Sequence, residues 1–112
     1  MVDSDGYQVR VIEVEGESVV EVTGEIDLSA RAELVTAIGQ ATTAGQRLVI
    51  DMSRTTFIDS TALKALLEAW RSQNEAGRAL VLREPSPEVV RTLEMAGLTD
   101  TLPVDLAAPP DG

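Results

Sequence analysis

The residues best suited to chemistry lie together in the segment TTFIDSTALKALLEAW, residues 55–70. An acid and two hydroxyls, Asp59, Ser60 and Thr61, stand directly before an apolar run at helical spacing. Lys64, the only lysine of the chain, follows Ser60 by one helical turn. Such a group suits two kinds of chemistry: nucleophilic catalysis by a serine that the lysine activates, or modification of an exposed hydroxyl at a helix start.

The composition argues against catalysis. The chain has no histidine, the commonest general base and metal ligand, and no cysteine. No glycine-rich turn for an oxyanion or a phosphate is evident. Asp27, Asp51 and Asp59 each follow a predicted strand and are candidates for a metal cluster, although acids at such positions usually cap helices. We therefore expect no enzyme activity, no cofactor and no metal, with an enzyme that uses Ser60 and Lys64 as the rival hypothesis.

Length and charge indicate a small acidic domain. The 112 residues carry a formal net charge of -10, which disfavours direct binding to nucleic acid. Apolar runs are only a few residues long, so membrane insertion is not expected. The polar start MVDSDGYQ does not resemble a signal peptide, and we expect a cytoplasmic protein. Residues 1–112 are predicted to form one domain, with a core at about 7–104 and a frayed tail at 105–112.

The pattern along the chain predicts an α/β fold. Apolar alternation and short apolar runs suggest strands, and apolar residues at helical spacing suggest helices, in the order β-β-α-β-α-β-α-β. Such alternation predicts a mixed, mostly parallel sheet with helices packed on it. The predicted strands are 7–14, 19–24, 47–52, 78–84 and 101–104, and the helices stop at glycines 45, 77 and 97.

The second helix is predicted to be amphipathic. Its apolar side, Leu63, Leu66 and Trp70, would face the sheet. A polar stripe lies opposite, formed by Ser60, Lys64, Glu68, Arg71 and Glu75, with Leu67 on the boundary. Ser60 would then sit at the exposed end of this stripe, which is a candidate docking face for a partner protein.

Asp59, Ser60 and Thr61 have two interpretations that do not exclude each other. Asp and Ser are both favoured N-caps, so either residue can satisfy a free backbone N–H of the helix. A helix N-terminus also tolerates negative charge well. A phosphate on Ser60 would therefore leave the fold intact while placing about two negative charges on the partner-facing surface.

Three blocks at characteristic spacing resemble the STAS domain family, specifically the stand-alone anti-sigma factor antagonists of bacteria. VTGEID at 22–27 is similar to the turn after the second strand of that family. VIDMSRTTFIDSTAL at 49–63 is similar to its strand, loop and phosphorylation segment. PEVVRTLEMAGLTDTLPV at 87–104 is similar to its helix ending in Gly-Leu and its last strand.

The resemblance implies a binding switch. In this family the unphosphorylated domain binds an anti-sigma factor, a serine kinase of the histidine-kinase-like ATPase type, and so frees a sigma factor. The kinase phosphorylates the serine after the motif aspartate, and a PP2C-type phosphatase reverses the reaction. Carried over to this chain, Ser60 is the phosphoacceptor. Asp27, Asp59, Thr61, Lys64 and Leu67 are the predicted partner-binding residues.

Two positions depart from the family pattern, because Ala62 and Lys64 stand where the family has glycine. Lys64 is suited to pair with a phosphate on Ser60 or with an acidic residue of a partner. STAS domains also serve as adaptors that are not phosphorylated, in lipid-transport ATPase complexes or stress-sensing assemblies. That adaptor role remains the alternative function.

Overall fold

The computed structural model describes residues 6–42 and 47–98, residue 101 and the backbone of 104–105. Five strands and three helices follow one another in the predicted order, which confirms the fold class. The strands are β1 (Tyr7–Val14), β2 (Glu17–Ile26), β3 (Arg47–Ile58), β4 (Leu80–Arg83) and β5 (Val104–Asp105). The helices are α1 (Leu28–Thr42), α2 (Ser60–Glu75) and α3 (Pro87–Met95). Gly45, Pro103 and the tail after Asp105 fall outside the described residues.

The strand order in the sheet is the same as the order in the chain, β1-β2-β3-β4-β5. β1 and β2 form an antiparallel hairpin, and each later strand is parallel to the one before it. Each parallel pair is joined by a helix, as crossover connections require. The sheet is therefore mixed and mostly parallel, as predicted.

The hydrophobic core lies between the three helices and one face of the sheet. Even-numbered strand residues and the apolar sides of all three helices form one buried cluster, which includes Val20, Ile50, Leu82, Leu34, Leu63, Leu66 and Leu93. On the opposite face Val19, Val49 and Val81 form a small second cluster of adjacent register partners. Leu48, Val49 and Ile50 are thus buried on both faces, which explains why this stretch of β3 is continuously apolar.

β2 and β3 extend further than the sequence predicts. The predicted loop at 25–29 supplies the end of β2 and the start of α1, and β3 continues through residues 53–58. This part of β3 pairs with β2 alone, because β4 reaches only to the partner of Asp51. Ser86, the N-cap of α3, supplies hydrogen bonds on the side that β4 does not reach. Its N–H donates to the Met52 carbonyl at 3.1 Å, and its hydroxyl donates to the Thr55 carbonyl.

The predicted helix ends agree with the structure where it describes them. Gly77 and Gly97 have φ of 73° and 72° and directly follow the C-caps of α2 and α3. The left-handed backbone at such positions favours glycine. Leu63 and Leu66 are buried as predicted, whereas Trp70 is only partly buried against the core.

Candidate functional site

The candidate site forms where two parallel strands end side by side. Ile26 and Ile58, the last residues of β2 and β3, are register partners. The Asp59 N–H donates to the Ile26 carbonyl at 3.1 Å, which ties the two strand ends together. Asp27 and Asp59 therefore occupy equivalent positions, each between a strand and the helix that follows it.

Gly24 brings the end of β2 against the backbone that precedes β1. Beside it β3 bulges, because Gly24 pairs with Thr55 and Glu25 with Phe57, which leaves Thr56 as the extra residue of β3. Gly24 itself has a φ of 89°. A Cβ added at Gly24 would lie 2.0 Å from the Gly6 carbonyl oxygen, and the Glu25 N–H donates to that same oxygen at 2.5 Å. Residues 22–26 of VTGEID are thus the end of strand β2 rather than a turn, and Ile26 is buried while Asp27, just after the strand, is exposed.

Asp59 caps α2. Its Oδ1 accepts hydrogen bonds from the Ala62 N–H at 3.0 Å and from the Thr61 hydroxyl at 2.7 Å. Its φ of -94° and ψ of 178° are the extended values typical of an N-cap. The side chains of Asp59 and Thr61 are therefore already committed to starting the helix.

Asp27 has the same arrangement at the start of α1. Its Oδ1 accepts from the Ser29 N–H at 3.0 Å and from the Ser29 hydroxyl at 2.6 Å. These hydrogen bonds, that of the hydroxyl first, lower the pKa of Asp27 below its ordinary value, because they stabilise the ionised carboxylate. Asp27 is exposed and carries a stable negative charge next to α2.

Ser60 is the first residue of α2, and its side chain is exposed. Within the described part of the chain no hydrogen bond involves its hydroxyl, since Asp59 performs the capping that either residue was predicted to provide. The structure thus separates the two interpretations of this segment. Asp59 and Thr61 start the helix, and the Ser60 side chain is exposed without a part in the cap.

The two departures from the family pattern differ in where their side chains lie. Ala62 has no exposed surface and belongs to the core cluster, so its methyl group points away from any docking partner. Lys64 is exposed on the same helix. Leu67 is half-buried and packs against the core, so only part of its side chain is accessible to a partner.

Two apolar residues beside the site were missed by the sequence reasoning. Leu28, the first residue of α1, is 68% exposed, and Phe57, next to last in β3, is 49% exposed. They flank Asp27 and the capped start of α2 in the chain. The exposure of Phe57 follows from the alternation of side chains along a strand. Because Ile58 is buried, the preceding side chain must point to the other face of the sheet.

The proposed metal cluster does not form. Asp51 lies inside β3, not after it as predicted, and its carboxylate accepts from the N–H and hydroxyl of Ser53. Eight residues of extended chain, roughly 26 Å, separate it from Asp59. Across residues 6–42 and 47–98 no group of three or more acidic, histidine or cysteine side chains is placed to hold a metal ion. In the same residues no helix has the length and apolar character needed to cross a membrane.

Comparison with known proteins places these features in a family context. The family profile described as "Mlab, STAS domain" matches residues 9–106. A search of curated proteins finds no match.

Several solved structures are similar to this chain. An anti-sigma factor antagonist from Mycobacterium paratuberculosis has 29% identity and a TM-score of 0.82, covering 96% of this chain and 92% of that one. The anti-sigma factor antagonist SpoIIAA in its unphosphorylated form has 26% identity and a TM-score of 0.66, with 91% and 88% covered. A serine-to-glutamate variant of RsbS from Moorella thermoacetica has 27% identity and a TM-score of 0.73, with 90% and 88% covered.

Proposed function

The chain belongs to the STAS domain family, and from this premise we propose that it is an anti-sigma factor antagonist switched by phosphorylation of Ser60. In the unphosphorylated state it binds an anti-sigma factor and so frees a sigma factor. The observation that carries this proposal is the exposed Ser60 hydroxyl, which has no partner within the described residues and stands beside a helix cap that does not need it.

The similar structures support this role. Two of them are anti-sigma factor antagonists, and one of these two, SpoIIAA, is in its unphosphorylated form. The likeness extends over nine-tenths or more of this chain, so it includes the strand ends and helix starts that form the site. We infer the same class of partner for this chain: an anti-sigma factor that is a histidine-kinase-like ATPase with serine kinase activity, opposed by a PP2C-type phosphatase.

The surface around Ser60 is suited to protein binding. We define the docking surface as Leu28, Asp27, Ser60 and Lys64, to which Asp59, Thr61 and the accessible part of Leu67 are adjacent. The exposed Leu28 side chain favours burial against a partner. The acidic charge of Asp27 and of the whole chain favours a partner with basic residues around an apolar patch.

Phosphorylation at this position acts on binding rather than on folding. The added charge stands at the first residue of α2, where the helix dipole favours an anion. At a protein interface, by contrast, the same phosphate must be desolvated and fitted into a surface shaped for a neutral hydroxyl. The domain thus remains folded while its affinity for the partner falls.

A binding experiment with matched variants tests the proposal. Affinity purification with the wild-type chain, followed by mass spectrometry, identifies the partner, and calorimetry then measures its affinity for each variant. We expect Ser60→Ala to bind as wild type and to accept no phosphate from the kinase and ATP. Ser60→Asp is expected to bind at least about tenfold more weakly. Ser72→Asp, which adds the same charge at another exposed position of α2, should bind as wild type.

The outcomes separate the proposal from its rivals. If Ser60→Asp binds the anti-sigma factor as tightly as wild type, the switch is refuted. Recovery of a transporter subunit or stress-sensing scaffold, with affinity unaffected by Ser60→Asp, would identify the adaptor alternative instead. Labelling of Ser60 by a serine-reactive probe, lost in Lys64→Ala, would support the enzyme hypothesis.

A further inference from the structure

Lys64 is a positive charge without a counter-ion in the described part of the chain. It is exposed on α2, four residues after Ser60, and no ion pair within residues 6–42 and 47–98 includes it. The acid one turn further along the helix, Glu68, lies 3.9 Å from Arg31 of α1. Lys64 is also the only lysine in a chain with a net charge of -10.

The spacing between Ser60 and Lys64 suits a charged pair. Side chains four residues apart lie on the same side of a helix, and an anion placed N-terminal to a cation is the favourable orientation. Unmodified Ser60 carries no charge, so it gives the lysine nothing to pair with. A phosphate would supply up to two negative charges and three strong acceptor oxygens.

We propose that Lys64 is the intramolecular partner of a phosphate on Ser60, in an ion pair that forms only in the phosphorylated protein. The pair holds the phosphate along the surface of α2. The pair also neutralises Lys64 on the docking surface. Phosphorylation therefore changes two charged groups there: it adds the phosphate and removes the free lysine. This inference rests on the proposed phosphorylation of Ser60.

The test uses the full chain with phosphoserine installed at position 60 by genetic encoding, so that no kinase is needed. A ³¹P NMR titration then reports the second pKa of the phosphate. Asp59 and Lys64 flank Ser60 in the chain, Asp27 follows Ile26, whose carbonyl accepts from the Asp59 N–H, and Arg31 of α1 approaches α2 at Glu68. The two acids raise this pKa and Lys64 lowers it, because a nearby cation stabilises the dianion.

We expect Lys64→Met to raise the phosphate pKa by roughly 0.3, whereas Lys64→Arg should keep the wild-type value. Arg71→Met is the matched control, because it removes one positive charge from the same helix about 16 Å along the axis from Ser60. It should leave the phosphate pKa within about 0.1 of wild type. The difference caused by Lys64→Met should shrink in about 0.5 M salt, because the pair is exposed to solvent.

Equal effects of Lys64→Met and Arg71→Met, or no effect of either, would overturn the ion pair. Either result would leave the proposed function untouched, since that depends on partner binding and on Ser60 itself. Conversely, failure of any kinase to modify Ser60 would refute the switch but not the pairing measured on the encoded phosphoserine.

Discussion

Removing the carboxylate of Asp59 is expected to destabilise the domain through the start of α2. In Asp59→Ala the Ala62 N–H loses its acceptor at 3.0 Å and the Thr61 hydroxyl loses its acceptor at 2.7 Å. Loss of an N-cap typically costs about 1 kcal/mol, within a range of about 0.5 to 2. For a domain of this size that corresponds to a fall in Tm of roughly 3 to 6 °C. Thermal unfolding followed by circular dichroism measures it.

Asp59→Asn separates capping from charge. The asparagine side-chain oxygen accepts the same two hydrogen bonds, so this variant should lose no more than a few tenths of a kcal/mol. If the alanine and asparagine variants are equally unstable, the stabilisation comes from the negative charge at the helix N-terminus and the capping argument is wrong. An alanine variant as stable as wild type would refute both explanations.

Three further predictions concern the docking surface, an ion pair and Gly24. Leu28→Ala should weaken anti-sigma factor binding about tenfold, as measured by calorimetry, while Met95→Ala, at an 82% exposed position of α3, should not. Glu17→Gln should lower stability at pH 7, and the difference should shrink as the pH falls below the ordinary carboxyl value of 4.5. This is because hydrogen bonding and charge from two arginines lower the pKa of this carboxyl, so its contribution is lost once it is protonated. Gly24→Ala should cost at least about 2 kcal/mol in urea unfolding, since its Cβ would collide with a backbone carbonyl at a φ of 89°, whereas Gly39→Ala, in open space on α1, should stabilise by about 0.5 to 1 kcal/mol.

Periodicity and helix-boundary residues allowed most of the fold to be predicted. Alternating strand and helix patterns correctly gave the element order, and Ser86 and Gly77 marked true helix boundaries. The extent of β3 was not predictable, because four consecutive polar residues, 53–56, interrupt the apolar pattern of the strand. They remain a strand since β2 pairs with them on one side and Ser86 bonds to the Met52 and Thr55 carbonyls on the other. The bond between Ser86 and Thr55 joins residues 31 positions apart in the chain, beyond the reach of any local pattern.

The sequence allowed the residues of the site to be predicted, but not which of them caps α2 and which side chains are exposed. Sequence reasoning left capping open between Asp59 and Ser60, because both residues are favoured N-caps. Only the backbone geometry assigns the cap to Asp59. The inward position of the Ala62 methyl group likewise depends on which side of α2 meets the sheet. Leu28 was not predicted to present an exposed side chain at a helix start, because the sequence suggested a loop at 25–29.

Because strand order equals chain order, the sheet can grow during synthesis by adding each new strand to an edge that already exists. No strand of this sheet has to insert between two others, so pairing joins elements that are neighbours in the chain, a pattern associated with fast folding. The strand ends and helix starts that form the site lie within residues 26–64, so they emerge from the ribosome before β4 and β5. The parallel pairings are expected to be slower than the β1–β2 hairpin, because each of them must close a loop through a helix.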